Sequence, residues 1–320
     1  MKNYKEFSSY TMEEMKNRFP ELEIQLRHVS KLQGASYDGI EIRKAGTPAA
    51  ATFDLMPAYD EYVSGEPLRV VMDRVADACR AAFREMPRYR LETLADYGEM
   101  RKKLVFRLVS VPLSGKGLAE IPHEVICGDM AAVCAFSISE DAGGSGEIVV
   151  TDQLMRSYGI TREELFRDAE IYAPLNRPSA LRSLADMVGM EESDGPGLKV
   201  AGVRGGVYGA AVLRYPGFLQ DAAEKLGGDF YILPSSVHEV ILLQDTGDVR
   251  TDFLNKMVRT INWNEVSPAE RLSDQAYHYD AKDQLLETAL EYDSRMADLS
   301  SDLLRRRMNE AVPVPERSLI

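Results

Sequence analysis

DFYILPSSVHEVILL, residues 229–243, is an apolar run cut by Pro234-Ser235-Ser236 and followed at once by the pair His238-Glu239. It reads either as a chemical site or as the turn of a β-hairpin. A serine nucleophile needs a base within hydrogen-bond reach and an acid to orient that base. Ser236 and His238 are two apart and could share a strand face. However, the serine pair lies between two strand-like runs and lacks the flanking glycines of a G-x-S-x-G elbow. His238 and Glu239, as strand neighbours, point to opposite faces and cannot both address one serine or one metal. Proline presets φ, and serine bonds its own backbone, as turns require. The stretch is therefore read as strand FYILP, a turn at Ser235-Ser236, and strand VHEVILL.

The flanking segments repeat this rhythm. LKVAGV turns at Arg204-Gly205-Gly206 into VYGAAVLRY, and Pro216 opens a helix that Gly227-Gly228 closes. DVRTDFLNKMVRTINW, residues 248–263, follows the hairpin as a second helix. Two strand-strand-helix units in a row predict an α+β fold, mostly antiparallel sheets with helices packed on one face.

Upstream, residues 5–18 are helical by spacing, and three strands follow in LEIQLRHVSKL, YDGIEIRKAG and AAATFDLMP. The clearest helix carries the stripe Leu68, Val71, Met72, Val75, Cys79, Ala82, Phe83 and Met86. ETLADYGEMRKK is a helix feeding strand LVFRLVS. The small, apolar residues 130–139 form a strand covered on both faces, joined by the glycine-rich 141–146 to EIVVTD. Thr151 or Asp152 caps QLMRSYG, and Thr161 with Glu164 forms a capping box. RPSALRSLADMVG reads as one more helix before an acidic, glycine-rich linker at about 190–197. Leu285, Ala289, Tyr292, Met296, Leu299 and Leu303 are spaced alternately four and three apart, an apolar seam on a long C-terminal helix. The modules are thus 1–95, 96–192, 193–281, an amphipathic helix over 282–310, and a disordered tail over 311–320.

Composition narrows the class of protein. The 320 residues are 45% hydrophobic and 28% charged, as in ordinary globular chains. A net charge of −13 works against binding nucleic acid or an anionic membrane. The odd count of three cysteines, with no CxxC, suits a reducing cytoplasm. No apolar h-region opens the chain and no run approaches the length of a transmembrane helix, so neither secretion nor membrane insertion is expected. The four histidines, His28, His123, His238 and His278, show no metal-ligand spacing, although HE occurs at His123-Glu124 and His238-Glu239. GVRGGVYG joins strand to strand and offers no helix N-terminus to a phosphate. No cofactor or metal is expected.

MRKKLVFRLVS, IPHEV, VTDQLMRSYGITREELFRDA, the run from YGAAVLRY through VHEVILL, and LSDQAYHYD resemble a bacterial family catalogued only as a domain of unknown function. The resemblance spans about 95–280, and a second uncharacterised bacterial family is fainter. It implies the fold unit and supplies no catalytic residue. Asp129 matches an Asp of the family, while Cys127 and Gly128 depart from its aliphatic strand. The leading expectation is a cytoplasmic, non-enzymatic protein that binds another protein or a small ligand, with Ser235, Ser236, His238, Glu239 and Asp129 as its surface. It is a monomer or a weak homodimer through the C-terminal helix. The alternatives are a hydrolase centred on Ser236, His238 and His123, and an acidic inhibitor that mimics nucleic acid.

Overall fold

The structure, a computed structural model, describes residues 2–29, 32–33, 37–44, 50–85, 96–139, 145–185, 197–234 and 236–310. The fold class is α+β. Helix α1 (Tyr4–Arg18) leads into β1 (Leu22–Val29), β2 (Tyr37–Lys44) and β3 (Ala50–Asp54), an antiparallel meander. Then come α2 (Met56–Val63), α3 (Leu68–Glu85), α4 (Tyr97–Met100), β4 (Leu104–Ser110) and α5 (Val111–Ser114). Strands β5 (His123–Cys127), β6 (Met130–Ser139) and β7 (Ser145–Val149) follow, with sheet order β4-β6-β5 and β7 also on β6. Helices α6 (Asp152–Ser157) and α7 (Arg162–Asn176) precede β8 (Ser179–Ser183) and β9 (Leu198–Val203). The chain continues through α8 (Phe218–Leu226), β10 (Phe230–Leu233), β11 (Val240–Gln244), α9 (Thr251–Glu265), β12 (Tyr277–Asp280), β13 (Leu285–Thr288) and α10 (Ala289–Glu310).

The chain divides into two units. One comprises Met1–His123 and Val133–Asn176, the other Glu124–Ala132 and Arg177–Ile320. In the first unit, Asn3 and Glu6 form the capping box that opens α1. Phe7 and Met15 of α1, Ile40 and Ile42 of β2, and Val71, Met72 and Cys79 of α3 share one buried cluster. The stripe read from the sequence is the core face of α3 from Leu68 through Cys79; Met86 and the side chains of Ala82 and Phe83 lie outside the described residues. Thr161 and Glu164 make the expected box at α7, their side chains exchanging bonds with each other's backbone N–H at 3.2 and 2.8 Å.

The second unit holds a six-stranded sheet of order β13-β12-β10-β11-β9-β8, with every pairing antiparallel. Strand β10 is buried on both faces. Its Tyr231 and Leu233 pack with Leu243, with Leu254 and Val258 of α9, and with Ala289 at the start of α10.

Among the described residues outside the 229–243 hairpin, four segments depart from the sequence expectation. Residues 179–183, expected in a helix, form edge strand β8, because Pro178 biases Arg177 to extended backbone and β9 offers a ladder. In VYGAAVLRY the second strand expected of the first strand-strand-helix repeat is replaced by a 3-10 segment, Gly209–Arg214. β9 ends at Val203, the chain turns over 204–208 and Tyr208 enters the left-handed region at φ 53°, so strand-strand-helix occurs once as expected and once in altered form. Helix α8 begins at Phe218 behind a left-handed Gly217, two residues later than Pro216 suggested. The C-terminal helix does not start at 282. Asp280 accepts the Lys282 and Asp283 N–H groups, Gln284 turns at φ 51°, and Leu285–Thr288 pairs with β12. The linker at 190–196 and the tail from 311 lie outside the described residues.

Candidate functional site

Strands β10 and β11 are joined by residues 234–239, a longer connection than the tight turn expected. Ser236 bridges to Arg271, and the Val237 N–H bonds the Glu270 carbonyl at 2.9 Å, which holds the chain off the ladder until Val240. His238 and Glu239 therefore precede β11. Ser235 lies outside the described residues, and Glu239 is exposed.

The His238 ring is engaged on both nitrogens. Its Nδ1 accepts the Tyr208 N–H at 3.2 Å, so the ring proton sits on Nε2, which faces Glu270 Oε1 at 3.4 Å. Ser236 Oγ accepts the His238 backbone N–H at 3.0 Å, a local serine turn. Glu270 also accepts from Ser267 Oγ at 3.0 Å. The carboxylate thus stands between a serine and the histidine, whereas a hydrolytic triad needs the histidine between serine and carboxylate. The arrangement braces a strained turn: Tyr208 is left-handed, its ring lies 5.5 Å from the His238 ring, and Gly209 abuts the His238 carbonyl.

Asp129 belongs to the same unit and accepts from Tyr277 Oη, which also bonds Ser273 Oγ at 2.9 Å. Burial and the neighbouring Asp129 push the Tyr277 phenol well above its ordinary value, so it stays a donor. His123 lies in the other unit, where its Nδ1 meets the Ile121 carbonyl at 2.8 Å and its own carbonyl accepts from Arg162. All three cysteines are free and buried.

A fourth histidine, which spacing left as a lone residue, has the most elaborate surroundings. His278 on β12 is fully buried; its Nε2 donates to Asp245 Oδ2 at 3.1 Å and its Nδ1 has no hydrogen-bond partner among the described residues. Tyr292 of α10 stacks on the ring, and Tyr231 meets it edge-on at 5.0 Å. The bond from His278 holds the Asp245 carboxyl below the usual carboxylate range although burial opposes this. One turn on, Arg295 grips Glu287 at 2.6 Å and Asp280 at 2.9 Å. Thr288 and Glu291 cap the helix reciprocally, at 2.9 and 3.2 Å. The alternation YHYD carries the only sequence signal for this cluster, since its partners come from distant segments.

These contacts tie the first two turns of α10 to the protein body, and its exposure then changes. Leu290 is 51% exposed, Met296 40% and Leu299 49%, and residues 296–302 are exposed on every side. A shallow groove along the helix is lined by Leu290, Glu291, Ser294, Arg295, Asp298, Leu299 and Asp302. The seam residues Ala289 and Tyr292 face the protein body, whereas Met296 and Leu299 continue the spacing into solvent.

Among the described residues, no group of three or more His, Cys, Asp or Glu is placed to hold a metal ion, and no helix is long and apolar enough to cross a membrane. A family model described as "Family of unknown function (DUF5688)" matches residues 4–281, which includes the N-terminal strands and stops before β13 and α10. No curated protein and no solved structure matches the chain.

Proposed function

The chain belongs to the family of unknown function DUF5688, and from its own geometry we propose that it is a cytoplasmic, non-enzymatic protein that binds another protein through α10. The observation that carries this reading is the pair Met296 and Leu299, apolar and about half exposed on a helix whose base is fixed by a buried stack and a bidentate ion pair. A helix anchored at its base and presenting apolar residues at helical spacing offers a preformed surface for docking. The engagement of both His238 nitrogens within the fold supports a binding role over hydrolysis.

A photo-crosslinking residue placed at Leu299 in cells is expected to give a defined protein adduct that Met296→Glu abolishes, with none from the exposed control position Asp252. Absence of an adduct at Leu299 above that control overturns the docking surface. Turnover of an ester or phosphate ester that Ser236→Ala removes overturns the non-enzymatic assignment.

A further inference from the structure

We infer that the C-terminal half of α9 is a separate docking site, where Arg259, Trp263 and Arg271 receive an acidic segment of another protein. It does not depend on the reading of α10. Trp263 is the single tryptophan of the chain and is 79% exposed. Packing of the helix does not call for it: Leu254, Val258 and Asn262 lie on the buried face, whereas Lys256, Thr260 and Trp263 step four and three apart along the exposed one. Tryptophan and arginine are among the side chains enriched where proteins meet. Arg271 is also held in place by the fold. Its Nε donates to the Val266 carbonyl at 3.1 Å and its backbone bridges to Ser236, which sets the guanidinium 5.9 Å from the Trp263 ring centroid.

Charge selects the partner. Arg259 stands about one turn before Trp263 and Lys256 about two, and no ion pair among the described residues takes up either. The carboxylates of this end are engaged or turned away. Glu270 accepts from Ser267 and faces His238, and Asp274 accepts from Asn262. Glu265, two residues after Trp263, leaves the helix on its other side. Charges act over about 8 Å at physiological salt, so this basic end governs its own approach although the chain carries −13. A long polyanion such as nucleic acid would meet the rest of that acidic surface and be repelled. A short carboxylate-rich segment, with an apolar residue to lie on the indole, would not. Phe253, 58% exposed, sits about three turns earlier beside Asp252, outside the basic end.

Trp263 is its own reporter. Its emission is followed while the full chain is titrated with a synthetic peptide of glutamate and leucine, with a lysine and leucine peptide as control. The glutamate peptide is expected to change the emission saturably, with an affinity that falls as salt rises, and the lysine peptide to leave it unchanged. Lys256→Glu/Arg259→Glu, at two exposed positions, should weaken binding at least about tenfold by setting like charges against each other. Lys256→Ala/Arg259→Ala, which only removes charge, should fall between that variant and the wild type. Circular dichroism melts check that both keep the fold, and the photo-adduct at Leu299 is expected to persist in both, since α10 is a separate surface. Emission indifferent to the glutamate peptide, equal changes with both peptides, or binding unaffected by the charge reversal overturns the inference. So does a stronger response to short oligothymidylate than to the glutamate peptide, which makes nucleic acid the occupant. Loss of the Leu299 adduct in a folded variant overturns the separateness of the two sites.

Discussion

The imidazole of His278 lies flat on the phenol ring of Tyr292, with centroids 3.5 Å apart and an interplanar angle of 13°. One ring belongs to a central strand and the other to the helix that leaves the body, so the stack is the seat of α10. Below it, Asp245 fixes the imidazole; beside it, the Arg295 guanidinium lies 5.6 Å from the Tyr292 ring centroid. Tyr292→Ala uncovers a buried histidine and opens a ring-sized cavity, and is expected to cost about 2–4 kcal/mol. Tyr292→Phe keeps the stack and should cost about 1 kcal/mol. Urea denaturation of the full chain measures both, with the exposed Leu299→Ala expected within about 0.5 kcal/mol of wild type.

The same cluster gives the protein an acid-sensitive element. The hydrogen bond from His278 lowers the Asp245 proton affinity, and the Gly247 N–H adds to this against the opposing effect of burial. A carboxyl that binds its proton more weakly when folded makes the unfolded chain the better proton acceptor. Its stabilising contribution is therefore complete above the ordinary carboxylate range, about 3.9, and is lost as pH falls through the folded value. Urea midpoints for the wild type are expected to drop from about pH 5 downward, with a shallower drop in Asp245→Asn. Parallel acid limbs would remove Asp245 as the source.

The turn at Tyr208-Gly209 rests on a close approach of backbones. A Cβ on Gly209 would lie 2.3 Å from the His238 carbonyl oxygen and 2.7 Å from the Val203 nitrogen, both backbone atoms that cannot swing aside. On Gly202, the neighbour across this contact, the nearest atom would be at 3.5 Å. Gly209→Ala is expected to destabilise by about 3 kcal/mol and Gly202→Ala by less than about 1 kcal/mol. Equal thermal melts for the two would refute the packing argument.

Local chemistry made much of the fold legible. The stripe of α3, the alternation of β1 and β2, and the Thr161 and Glu164 box each lie within one element and state their own geometry. The misread segments are those whose conformation is set by a distant partner. SALRS is neutral between helix and strand until β9 offers its edge. GAAVLR is apolar enough for a strand, yet it is bent where Tyr208 turns and donates its N–H to His238. Leu285 belonged to the apolar seam by spacing, but β12 claims it first. The candidate site was harder still. His278 is 33 residues from Asp245 and 14 from Tyr292 in the chain, and only the order β13-β12-β10-β11 gathers them. Nothing local marks a histidine whose partners are assembled by strand order.

Thiol reactivity provides a probe of the same region. Reagents attack the thiolate, so a raised thiol pKa slows them in proportion. Burial pushes Cys79 up to about 11. Cys127 is pushed up to about 12, by burial first and then by the charges of Glu291, Glu287 and Asp129. At pH 8 the Cys127 thiol is held almost wholly protonated. Labelling of the native protein with a thiol-specific disulfide reagent should therefore be slow at Cys79 and Cys127, and complete only in denaturant. Cys127 differs from Cys79 in one respect: two of the carboxylates that hold it protonated flank the start of α10. Loosening that helix by Tyr292→Ala should speed labelling at Cys127 while leaving Cys79, in the α3 core, as slow as before. Peptide mapping of the labelled protein separates the two sites. Rapid native labelling of Cys127 in the wild type, or equal acceleration at both cysteines in Tyr292→Ala, would mean that the start of α10 does not shield Cys127.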